Sequence, residues 1–151
     1  IVKEFSFTVN KKQIPSTTQL MTVEIPRLAQ PNGKRVFLEL NLLNKSTSIP
    51  KKYNERKTDL ILSFQGIDVD TIVYEIPEHL HTEYLPEPID IESEFGRYNA
   101  TAPFENGKLT YIRRQEYNKG RFAKELYEDY SEYKRKIAKA DKSKVVFIDK
   151  T

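Results

Sequence analysis

The chain has 151 residues, with 25 Lys and Arg against 22 Asp and Glu (net charge +3), 38% hydrophobic residues, and neither Cys nor Trp. That length supports a real core, burying roughly 70% of the unfolded surface without staples. The missing cysteines exclude disulfides, thiolate zinc sites and a thiol nucleophile within it, and no apolar run approaches the roughly 20 residues that span a bilayer.

The chain opens at Ile1 with no basic-then-apolar leader and reads as a processed or excised piece of a longer polypeptide. Phe5, Phe7 and Val9 alternate with Ser6 and Thr8, the period-two signature of a half-buried strand. Residues 10–18, with Lys11, Lys12 and Pro15, predict a loop, and residues 19–25 a strand that stops at Pro26. The Asn32-Gly33 pair predicts a turn into an apolar run over 35–43, because Asn-Gly readily adopts positive φ. Residues 44–58 are polar and aperiodic, a long loop and the best internal boundary between a lead-in of residues 1–34 and the rest of a single domain spanning 1–151. Strands follow over 59–64, 71–76, 81–85 and 89–91, with Pro77, Pro86 and Pro88 at their ends.

A two-residue turn at Asn106-Gly107 sets Phe104 opposite Leu109, Ala102 opposite Tyr111 and Ala100 opposite Arg113, giving one largely apolar face. Gly96, after Phe95, marks a bulge or bend. Over 123–140 the period changes: Leu126, Tyr130, Tyr133, Ile137 and Ala140 form one stripe of an amphipathic helix, with Tyr127 and Ser131 off it. Acids in its first half and bases in its second complement the helix dipole. Residues 145–148 make a final strand. The fold class is mainly β: an antiparallel β-sandwich, compatible with an immunoglobulin-like layout, carrying one C-terminal helix.

Charge is unevenly spread. Residues 68–105 hold ten acids and one base, Arg97, so this stretch carries −9 and the rest +12. Asp68, Asp70, Glu92 and Glu94 are its candidate interaction surface for a complementary neighbour. The basic residues are scattered in pairs (Lys11-Lys12, Lys51-Lys52, Arg56-Lys57, Arg113-Arg114), which does not read as a nucleic-acid face.

Chemistry-bearing motifs are sparse. His79 and His81, beside Glu78 and Glu83, would share a strand face, but two ligands make no catalytic metal site and the segment reads as surface. Asp68-Val69-Asp70 matches no calcium-loop spacing and reads as a solvated turn. There is no Gly-x-Ser-x-Gly elbow and no Gly-rich phosphate loop, so no cofactor or metal is expected. Nine Tyr and eight Phe leave room for a glycan-binding platform, although most fit core positions.

From about residue 35 onward the chain resembles the C-terminal module of unknown function found in bacterial transglutaminase-like proteins. The resemblance rests on ordered pieces. They run from Phe37-Leu38-Glu39-Leu40-Asn41-Leu42-Leu43-Asn44, Ile49-Pro50 and Arg56-Lys57-Thr58 through residues 70–78 and Glu83-Tyr84-Leu85-Pro86. Ile91-Glu92-Ser93-Glu94-Phe95-Gly96-Arg97-Tyr98, Leu109-Thr110-Tyr111-Ile112-Arg113 and residues 130–144 complete the set. The resemblance implies that a catalytic Cys, His and Asp lie upstream of this chain, in a transglutaminase-like core. It also implies export to the periplasm. Leu85, Pro86, Phe95, Gly96, Asn106, Gly107, Leu126, Tyr130, Tyr133 and Ile137 are then structural positions. The expected role is a non-catalytic accessory domain that docks on or positions that core and its protein or peptide substrate. The alternative is a ligand-binding module for cell-wall glycan or polysaccharide.

Overall fold

The computed structural model describes residues 1–53 and 55–150. It is mainly β, with several antiparallel sheets, one helix near the C-terminus and a final strand after it.

The chain begins with β1 (Val2–Asn10) and β2 (Ser16–Val23), a hairpin that pairs only with itself. Phe5 faces Met21 across it. Its strands are longer than the alternation predicts, and the expected burial is corrected: Phe5 is 60% and Phe7 57% exposed. Period two reports a two-faced strand, but among the described residues nothing else covers the apolar face. Pro26 and Arg27 turn the chain away from this arm, with Arg27 held at φ +59°.

Next, β3 (Ala29–Asn32) and β4 (Arg35–Glu39) form a hairpin with Gly33 at φ +61°, as the Asn-Gly pair predicts. The loop 44–58 carries no strand among its described residues. Beyond it lie β5 (Leu60–Leu62), β6 (Gly66–Glu75), β7 (Leu80–Tyr84) and β8 (Ile89–Ser93). Asp68-Val69-Asp70 is mid-strand in β6 and not a turn, because ten consecutive residues of β6 pair with the last long strand of its sheet.

That strand is β11 (Lys108–Tyr117). It lies between β6 on one side and β9 (Gly96–Thr101) on the other, with β8 beyond β9 and β10 (Phe104–Glu105) at its start. Phe104 faces Leu109 and Ala100 faces Arg113, the register expected from a two-residue Asn106-Gly107 turn, whose residues sit at φ +50° and +74°. A short β12 (Gly120–Phe122), not foreseen in the sequence, pairs with β5. Finally β13 (Lys144–Asp149) inserts between β4 and β7, completing a second sheet in the order β3-β4-β13-β7. One core joins the two sheets: Tyr98, Ala100, Leu109 and Tyr111 from the first, Leu38, Val145 and Phe147 from the second. Phe104 meets Phe147 edge-on at 5.9 Å between centroids.

A 3-10 turn (Lys124–Leu126) leads into α1 (Tyr127–Ala140). Tyr133, Ile137 and Ala140 of the expected stripe are buried, while Leu126 and Tyr130 are partly buried against the core. Tyr127 and Ser131, read as off the stripe, are buried too. The loop after β4 covers that flank: the Tyr127 hydroxyl donates to the Lys51 carbonyl (2.9 Å) and Ser131 Oγ to the Pro50 carbonyl (3.2 Å). A helix stripe reports only the face toward the sheets; a loop crossing the side adds a second. Ile137→Ala, at a fully buried position, is expected to cost about 2–5 kcal/mol by lost burial plus cavity, and Leu126→Ala, only partly buried against the core, about 1–2 kcal/mol; urea melts of both variants check the ranking.

Candidate functional site: a buried polar cluster behind an aromatic cleft

The alternation of β11 turns Leu109, Tyr111, Arg113 and Gln115 to one face, inward. The first two are ordinary core. The next two place a guanidinium and an amide in the interior, each only 2% exposed. A buried cation is tolerated only when it is paired and fully hydrogen-bonded.

Asp141, the C-cap of α1 and itself 1% exposed, supplies the main partner. Its Oδ1 accepts from Arg113 Nε (3.0 Å), Tyr98 Oη (2.7 Å) and Asn41 Nδ2 (2.9 Å), and its Oδ2 from the Ser46 amide (2.7 Å). A carboxylate at a helix C-terminus opposes the dipole, so the guanidinium and these donors are what hold its charge there. Arg113 Nη1 also donates to Asp70 Oδ2 (3.2 Å) and Nη2 to Gln115 Oε1 (2.6 Å); Asp70 Oδ1 accepts from Asn44 Nδ2 (2.6 Å). The cluster thereby ties β11, β9, β6, the end of α1 and the loop after β4 together.

Its electrostatics follow from this geometry. Burial disfavours the Arg113 charge, yet Asp141 outweighs that and Asp70 adds to it, so the guanidinium is held more firmly protonated than usual. Burial, then the bonds to Tyr111 and Asp141, pushes the Tyr98 hydroxyl far above its ordinary range. The Arg113 guanidinium is bonded to Asp141, Asp70 and Gln115, and the arrangement suits holding charge in place more than transferring a proton.

Gln115 also forms part of the floor of a cleft of about 310 Å³ between β5, the end of β11 and α1. Phe64, Phe95, Tyr117 and Tyr130 wall it, with Tyr133 and Lys134 on the helix side. Phe64 packs edge-on against Tyr117 (5.3 Å) and Phe95 against Tyr130 (5.2 Å). Among the described residues the Tyr133 hydroxyl is buried without a hydrogen-bond partner within bonding distance, and burial, partly opposed by Ser93, pushes it up to about 12. Burial lowers the Lys134 ammonium; Asp141 opposes that shift and Arg113 adds to it.

The residues singled out in the sequence are placed as follows. Leu85 packs on the core, and Phe95 lies in the two-residue turn between β8 and β9. At Gly96, φ +144°, an added Cβ would lie 2.0 Å from the Glu116 carbonyl oxygen. Pro86 borders a small hollow over Ala100 and Tyr111. The Gly107 carbonyl accepts from the Ile76 amide (2.8 Å). The four acidic residues do not assemble: Asp68 and Asp70 lie on β6 at one edge of the sheet, Asp70 already bonded inward, whereas Glu92 and Glu94 belong to β8 and its turn at the other edge. His79 lies in the turn before β7 and His81 within it, both exposed; among the described residues no group of three or more His, Asp or Glu could hold a metal. The Arg113–Asp141–Gln115 cluster was missed by sequence reading. Its signal is the inward alternation of β11, which puts two polar residues where core is due.

The fold and site define a mainly β domain built around a buried ion-pair cluster. The family described as a domain of unknown function with a solved structure, DUF3858, matches residues 34–147, and the chain belongs to that family. The match begins at the β3–β4 turn, leaving the β1–β2 arm outside it. No curated protein matches. Among solved structures, the chain is similar to a candidate protease from Parabacteroides distasonis, with TM-score 0.58 and 18% identity, a likeness of fold. The match covers 74% of this chain and 23% of that one, so the chain spans about a quarter of that protein's length.

Proposed function

We propose that this chain is a non-catalytic accessory domain that docks on a transglutaminase-like core earlier in the same polypeptide, through the apolar face of the β1–β2 arm. The observation that carries the reading is that arm: Phe5, Phe7 and Val9 line one face at 50–60% exposure, and an isolated two-stranded hairpin is marginal in water. An apolar face of this kind marks a contact with another body. The much longer protein of similar fold supports the reading, as does the resemblance of residues 35 onward to a module that follows such a core. The same resemblance makes the periplasm the proposed compartment.

Hydrogen exchange tests it. In the parent polypeptide the amides of β1 and β2 are expected to exchange at least tenfold more slowly than in the isolated chain, because local opening must then break the docked face. Equal exchange of the arm in both would overturn the reading.

A further inference from the structure

We infer that the cleft between β5, β11 and α1 is a binding site for a carboxylate carried on a small apolar body, the carboxylate received by Gln115 and Lys134 and the apolar part seated among Phe64, Tyr117 and Tyr130. The inference is independent of the docking arm.

The first support is the Gln115 amide. Its Oε1 accepts from Arg113 Nη2 at 2.6 Å, which settles which end of the amide faces the buried cluster. Its NH₂ end makes no hydrogen bond with the described residues, and Gln115 lines the cleft. Two donors therefore open onto the cleft without a protein partner, where an acceptor on a ligand can take them.

Lys134 is the second support. It is half-buried on the same wall, and among the described residues no carboxylate lies within ion-pair distance of it. Behind the amide, Arg113 is balanced by Asp141 and Asp70, leaving Lys134 as the cation turned to the cleft. Asp68 lies against the Tyr117 hydroxyl and Asn118 Nδ2 is spent on the Glu94 carbonyl (3.0 Å). A wall offering unpaired donors and a cation selects an anionic acceptor, and charge-assisted bonds are the stronger kind. The volume is at the low end for ligand pockets and admits one residue-sized group instead of an extended polymer.

The test is a two-dimensional NMR titration of the protein with N-acetylphenylalanine and, separately, its primary amide. The acid is expected to shift the amide signals of Tyr133, Lys134 and Phe95 saturably, with the amide about tenfold or more weaker. Lys134→Met should lose the same factor and Lys134→Arg should restore most of it, with unchanged melting in both. A peptide ending in Phe that binds more tightly than the free acid makes the source a chain terminus; the reverse makes it a free acid. Equal affinity for acid and amide, no saturable shifts at millimolar acid, or a neutral oligosaccharide binding there in preference to the acid each overturns the proposal.

Discussion

Asp141→Ala is expected to destabilise the domain by about 3–5 kcal/mol, because it leaves Arg113 buried without its main counter-charge. The carboxylate accepts from Arg113, Tyr98, Asn41 and the Ser46 amide, so one truncation strands four donors. The consequence should spread along the loop after β4. With Ser46 released, the segment that accepts from Tyr127 and Ser131 through the Lys51 and Pro50 carbonyls loses its anchor, and its amides should exchange faster. Replacing both charges, as Arg113→Met with Asp141→Leu, should recover only the part due to the unpaired guanidinium, because Tyr98, Asn41 and the Ser46 amide remain without their acceptor. Guanidinium denaturation of the two variants decides it. A loss under about 1 kcal/mol for Asp141→Ala would mean that water reaches Arg113, and the cluster would not be the fold's fastening.

Gly96→Ala is expected to be comparably costly, about 3 kcal/mol or more, because a steric and a conformational penalty coincide. The backbone stands at φ +144°, and the added methyl would lie 2.0 Å from the Glu116 carbonyl oxygen and 3.1 Å from the Tyr133 hydroxyl. Gly96 faces Tyr117 in the β9–β11 ladder, so relief requires the two strands to part where they border the cleft. Gly33→Ala makes the comparison informative. It shares a positive φ (+61°) but meets nothing within 4 Å, and should cost only about 1–2 kcal/mol of backbone strain. Thermal melts that rank the two equally would show that close approach of the β9 and β11 backbones contributes nothing at Gly96.

Local patterns were legible where local physics decides. The Asn106-Gly107 turn has its two-residue register because that pair tolerates positive φ at both positions, whatever surrounds it. The amphipathic helix and the strand after it likewise follow from spacing alone. The cluster was half legible. Alternation along β11 puts Arg113 and Gln115 on the inward face, but no spacing links them to Asp141, 28 residues later, or to Asn41, 72 earlier. The cleft was less legible still. Tyr130 and Tyr133 belong to the helix stripe, whereas Phe64 and Tyr117 reach the same wall only because β5 pairs with the unforeseen β12 and the helix closes over them.

The sequence by itself determined the class of the fold, most of its strands, the one helix and the tight turns, because hydrophobic period and turn chemistry act over a few residues. It also determined that this chain carries no thiol chemistry. Only the tertiary structure decided which apolar faces are covered. Period two reads the same in β1, which lies bare, and in β9, which is buried, since alternation states that a strand has two faces and not what lies against either. Only tertiary structure, too, turned an acidic stretch into separate fates: Asp70 drawn inward by Arg113, Asp90 paired with Arg97 at the surface. Charge is a property of the residue, but its burial and its partner are set by long-range strand order, which no local window contains.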